Sequence, residues 1–134
     1  MPQSRIVVHY QDGRIEKGLT NDFAPGRSQF HLAPLDAAPG NKLLEIELPK
    51  LKAVYFVRDF AGDPERDELS SFDPLRPVPG RRVRVRFRDG EELLGTTQGY
   101  HPERTGFFVI PADPGSNNER CFVVLAATEE VSFL

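Results

Sequence analysis

The alternation of apolar and polar positions is clearest in Arg82-Val83-Arg84-Val85-Arg86-Phe87-Arg88, where the two kinds exchange at every step. Side chains of a strand alternate faces, so Val83, Val85 and Phe87 are expected inward and the four arginines outward. The run ends at Asp89-Gly90, a strong hairpin signal between strand-like segments. Glycine takes the positive φ of such a turn at little steric cost. Arg5-Ile6-Val7-Val8-His9-Tyr10-Gln11, closed by Asp12-Gly13, has the same layout 77 residues earlier.

The offset of 77 holds without a gap from residues 5–57 to residues 82–134, and 15 of the 53 aligned pairs are identical. Gly18 meets Gly95, Pro25 meets Pro102, Arg27 meets Arg104, Phe30 meets Phe107, Pro34 meets Pro111 and Phe56 meets Phe133. A period this long sets the architecture before any other feature does. Each copy predicts five strands. The second covers about 14–20 and 91–97, with Gly18 and Gly95 marking a bend, a bulge or a close backbone approach. The third, 29–34 and 106–111, is closed by a proline that cannot donate into a ladder. The fourth and fifth fall near 43–48 and 53–57, and near 120–125 and 130–134. Short strands, tight turns and no helical period give an all-β class: two tandem SH3/Sm-like five-stranded small barrels related by pseudo-symmetry. The barrels occupy residues 1–57 and 80–134. Residues 58–79 form an acidic and proline-rich linker, with one helical turn over 63–69 and an extended stretch over 72–79.

A barrel of about 55 residues buries only about 60% of its unfolded surface, so the copies are expected to pack together, exchange strands or form a homo-oligomer. The charge balance, 17 basic against 20 acidic residues, excludes a globally basic nucleic-acid surface. Cys121, the single cysteine, excludes an internal disulfide and points to a reducing, cytoplasmic setting. It aligns with Leu44, as a small core residue would. No apolar run has the length of a signal or a membrane span, so no membrane insertion is expected.

The order Asp-Gly, four residues, Gly, then a Phe/Pro loop and an apolar strand resembles the first half of an Sm-like domain. That resemblance implies a bent five-stranded sheet, which in the Sm family binds RNA on ring-shaped oligomers. The Asp and Asn of the Sm loop have no counterpart here. The stretches Leu51-Lys52-Ala53-Val54-Tyr55-Phe56-Val57-Arg58-Asp59-Phe60 and Gly106–Arg120 resemble an uncharacterised bacterial domain family. This implies a bacterial origin and carries over no activity.

Candidate chemistry concentrates in the second copy. Arg82, Arg84, Arg86 and Arg88 could grip phosphates of a nucleic acid or nucleotide as a guanidinium ladder, or pair with Glu91 and Glu92 across the hairpin. Arg104 follows a loop containing Tyr100 and His101, and Arg27 holds the matching place in the first copy. Asn117, Asn118 and Arg120 belong to a polar loop suited either to its own turn or to a ligand. Tyr100, Phe23 and Tyr55 are the aromatics expected to line a peptide groove. His9, His31 and His101 lie in different elements, without metal-site spacing. No nucleophile elbow or phosphate loop is present, so neither an enzyme nor a cofactor is expected. The resulting expectation is a non-catalytic binding or adaptor module of the bacterial cytosol that takes a protein or peptide. The alternative is binding of nucleic acid or a phosphorylated nucleotide through the arginine face.

Overall fold

The computed structural model describes residues 3–35, 43–61, 80–113 and 115–134. The helical turn expected over 63–69 and the extended stretch over 72–79 lie outside the described residues. The first half contains β1 (Ser4–Tyr10), β2 (Ile15–Thr20), β3 (Gln29–Pro34), β4 (Leu44–Glu47) and β5 (Leu51–Val57). The second contains β6 (Arg81–Phe87), β7 (Glu92–Thr97), β8 (Gly106–Pro111), β9 (Asn118–Val124) and β10 (Thr128–Phe133). The bounds of β1 and β6, of β2 and β7, and of β3 and β8 differ by 77. Two three-residue 3-10 turns, Leu48–Lys50 and Leu125–Ala127, stand before β5 and β10 and were not expected from the sequence.

Both Asp-Gly hairpins use a three-residue loop with glycine in the left-handed position. Gly13 (φ +96°) donates to the Tyr10 carbonyl at 3.1 Å, and Gly90 (φ +93°) to that of Phe87 at 2.9 Å. The aspartate before each glycine accepts the backbone N–H two residues on, Asp12 from Arg14 and Asp89 from Glu91, each at 3.0 Å.

Two separate closed barrels are not what the hydrogen bonding forms. All ten strands of the described residues make one open antiparallel sheet in the order β10-β6-β7-β8-β9-β5-β1-β2-β3-β4. Neither half pairs its fourth strand with its fifth. The edge of β5 that would close the first barrel is taken by β9 instead, with Val54 opposite Phe122 and Tyr55 opposite Cys121. The physical reason is legible in β5, where every residue is buried. A strand buried on both faces belongs in the middle of a sheet.

Alternation along this central pair divides its side chains between two cores. Val54, Phe56, Phe122 and Val124 join Ile6, Val8, Phe30, Leu32, Ile46 and Leu48 in the first. Ala53, Tyr55, Val57, Cys121 and Val123 join Val83, Val85, Phe87, Phe107 and Val109 in the second. The outer strands differ at matching positions. Edge strand β4 carries exposed Glu45 and Glu47 where β9 carries Phe122 and Val124, and β10 carries exposed Glu129 and Glu130. Charged residues on edges discourage addition of a further strand.

The glycines inside β2 and β7 stand where the neighbouring strand's backbone comes close. A Cβ on Gly18 would lie 2.2 Å from the Ala33 carbonyl oxygen, and one on Gly95 2.2 Å from that of Ile110. Backbone that close cannot yield to a methyl group. Gly95→Ala is therefore expected to lower stability by about 1–3 kcal/mol through overpacking. Urea denaturation checks this, and an unchanged midpoint would contradict the close crossing.

Candidate functional site

The arginine strand follows the expected alternation, with Val83, Val85 and Phe87 buried and Arg82, Arg84 and Arg86 exposed. Its charge is partly spent inside the molecule. Arg86 lies 3.4 Å from Glu92 and 3.8 Å from Glu130, and Arg88 donates from Nε to the Ala126 carbonyl at 2.9 Å. Glu91, the other acid expected to pair across this hairpin, turns to Lys52 instead. Lys52 Nζ lies 2.8 Å from Asp89 and 3.2 Å from Glu91, over the ring of Phe87. Tyr55 donates its hydroxyl to Glu91 at 3.2 Å, and the ring of His9 meets Tyr55 edge-on at 4.7 Å. This cluster ties β5 to the β6–β7 hairpin.

Charge and burial compete in this cluster. Burial lowers the Lys52 pKa, but the Asp89 hydrogen bond and the Glu91 charge outweigh it and leave the amine above its ordinary value. The same hydrogen bond, with the Glu91 N–H, holds the Asp89 carboxyl below its own. Burial, aided by the Lys52 charge, lowers the His9 pKa. An unfolded histidine takes up a proton near pH 6.5 while the folded His9 does not, so stability is expected to fall as pH drops through that value. The depressed Asp89 adds a second loss below about pH 4. Urea midpoints between pH 8 and 5 should decline for the native chain and stay nearly level for His9→Gln. A parallel decline in the variant would assign the effect elsewhere.

Tyr100 and Phe23 act as plugs of their own halves. Phe23 meets Phe30 at 5.1 Å and Phe56 at 5.4 Å, and Tyr100 meets Phe107 and Phe133 at 5.0 Å each. Tyr55, expected at the surface, is 8% exposed, because its side chain lies in the second core. Asn117 neither caps its own turn nor faces open solvent. Its side chain clamps the chain leaving β5, accepting the Asp59 N–H at 3.0 Å and donating to the Asp59 carbonyl at 2.7 Å. Asn118 donates its backbone N–H to Ser116 Oγ. His101 is exposed beside Gly80, Arg81 and Tyr100 in a shallow hollow. Cys121 is fully buried, which raises its thiol pKa and leaves it inert.

Arg104 and Arg120 are brought together at a crevice of about 430 Å³ between β7 and β8. Its floor is Phe108, Phe122 and Ile110, one wall is the end of β7 and the residues after it, Thr96 to Gly99, and Pro25 reaches its rim from the first half. Ile110 is 48% exposed. The guanidinium of Arg120 lies 4.3 Å from the ring centre of Phe56 and 4.6 Å from that of Phe108. No acidic side chain pairs with Arg104 or Arg120 among the described residues. The crevice opens because the β7–β8 ladder has only the pairs Gly95↔Pro111 and Thr96↔Ile110.

The matching place in the first half is filled. Asp22 accepts the His31 N–H at 2.9 Å, meets His31 Nδ1 at 2.7 Å and lies 3.1 Å from the hydroxyl of Thr20. Thr20 also donates to the His31 carbonyl at 2.8 Å. Offset by 77, Asp22 becomes Gly99 and His31 becomes Phe108, while the threonine stays as Thr97. The second half thus keeps the crevice and lacks its filling.

No group of three or more His, Cys, Asp or Glu that could hold a metal ion occurs among the described residues. No helix among them is long and apolar enough to cross a membrane. Over residues 2–134 the chain matches a family of unknown function, DUF6982. The chain belongs to that family. No curated protein and no solved structure matches it. The expected kinship with an uncharacterised domain family is thereby met, and membership of DUF6982 assigns no chemistry to the crevice.

Proposed function

We propose that this chain is a non-catalytic binding module of the bacterial cytosol that holds a peptide segment of a partner protein in the β7–β8 crevice. In this reading each half is a small SH3/Sm-like barrel unit, and the two share the β5–β9 pair as a common wall. The five-strand order with a 3-10 turn before the last strand, found in both halves, supports that reading of the units. The single observation that carries the function is the open crevice itself. It combines an apolar floor, an exposed isoleucine and two guanidinium groups that have no acidic partner among the described residues, in a chain of net charge −3. Concave apolar sites with a few convergent polar groups are where ligands bind.

The arginine face of β6 supports the nucleic-acid alternative less, because Arg86 and Arg88 already have partners within the fold. A pull-down from bacterial lysate with the full chain separates the two readings. Protein partners should persist after nuclease treatment and at raised salt, and Ile110→Asp should release them while leaving the thermal midpoint nearly unchanged. Phosphate contacts weaken steeply with salt. Partners that vanish with nuclease, or that Arg84→Glu/Arg86→Glu removes and Ile110→Asp does not, would overturn the proposal in favour of the arginine face.

A further inference from the structure

The first half displays what its crevice accepts, because a carboxylate of the chain already occupies it. Along β8 the backbone phase is fixed by the Ala112 N–H, which donates to the Leu94 carbonyl on the β7 side at 2.9 Å. Strand backbone groups alternate edges, so Ile110 and Phe108 also point their N–H and C=O toward β7. Ile110 meets Thr96 there, but the ladder then stops. The N–H and C=O of Phe108 therefore face the crevice. His31 faces its own crevice in the same way, and there the Asp22 carboxylate takes the N–H while the Thr20 hydroxyl takes the C=O. Gly99 offers no side chain for this, and Thr97 Oγ instead accepts the Gly99 N–H at 3.4 Å. A buried or half-buried peptide group left without a partner calls for water or a ligand.

We propose that the crevice binds an acidic side chain of the partner peptide, whose carboxylate takes the Phe108 N–H as Asp22 takes that of His31. This specificity rests on the peptide-binding reading above and adds the chemistry of the ligand. Arg104 and Arg120 flank the position and supply the charge that the carboxylate needs. The cation–π contacts with Phe56 and Phe108, at 4.3 and 4.6 Å, hold the Arg120 charge at the crevice, and a guanidinium presents several donors to a carboxylate. An apolar residue next to the acid would cover the exposed Ile110.

The decisive variant is Gly99→Asp. A Cβ at Gly99 meets nothing within 4 Å, and its φ is not in the left-handed range, so the side chain has room. The substitution recreates the Thr-x-Asp order of Thr20 to Asp22 and fills the crevice from within. A phage-displayed library of random dodecapeptides is panned on the full-length chain, and enriched peptides are synthesised with Asp or Glu and with Asn or Gln at each acidic position. Acid-bearing peptides should bind at least 10-fold more weakly to Gly99→Asp and to Arg104→Gln/Arg120→Gln, and equally weakly after amidation of the one acid. Peptides that Gly99→Asp displaces but that need no acid would overturn the carboxylate and leave the peptide site standing. Enriched peptides indifferent to Gly99→Asp, or no enrichment at all, would overturn both. A thermal melt and an amide NMR spectrum of each variant establish that it is folded before binding is read.

Discussion

Neither half of the chain is expected to fold when it is expressed without the other. Residues 1–61 alone keep β5 but lose β9, and with it Phe122 and Val124 from the first core. Val54 and Phe56, now 0% and 6% exposed, would face water along the edge of that core. Burying one such side chain contributes about 1.5–3 kcal/mol, so four of them outweigh the stability of a marginal 60-residue unit. Residues 80–134 alone lose Ala53, Tyr55 and Val57, and leave Cys121 and Val123 uncovered. Circular dichroism and one-dimensional NMR of the two fragments should show unfolded chains, and mixing them should restore the dispersed spectrum. A fragment that melts cooperatively at the temperature of the whole chain would refute the shared wall.

Phe122→Ala is the single substitution with the largest expected cost. Phe122 is fully buried and belongs to a second-half strand, yet it fills the first core. Its ring meets Phe108 at 5.1 Å and Phe23 at 5.3 Å, and Phe23 in turn packs on Phe30 and Phe56. Truncating a buried phenylalanine costs about 3–5 kcal/mol in transfer and cavity terms. Beyond its own strand, the chemical shifts should move at Phe23 and Val54, in the half that Phe122 does not belong to. Perturbation confined to β7, β8 and β9 would contradict this placement.

The strands were legible because their signals are local. Alternation, Asp-Gly and the strand-closing Pro34 and Pro111 located β1 to β3 and β6 to β8 almost to the residue. The pairing of β5 with β9 was harder, because alternation says which side chains share a face and not which strand lies beside it. Its trace was the unbroken apolar run Ala53-Val54-Tyr55-Phe56-Val57, too apolar for the wall of a small barrel with one wet face. Lys52 went unnoticed for a similar reason: its partners, Asp89 and Glu91, are distant in sequence and meet it only through the fold. The crevice also had a sequence trace. The offset aligned Asp22 with Gly99 and His31 with Phe108, and the loss of a carboxylate beside a retained threonine is visible there. What that loss opens depends on the backbone phase of β8, which side-chain patterns do not encode.

The crevice is tested most directly by amide NMR of the isotope-labelled full chain, titrated with the acid-bearing peptide selected from the library. The Phe108 amide should shift most, together with Gly99, Gln98 and Ile110, and Arg84 and Arg86 should stay in place. A titration that moves the β6 amides and leaves Phe108 untouched would contradict the account.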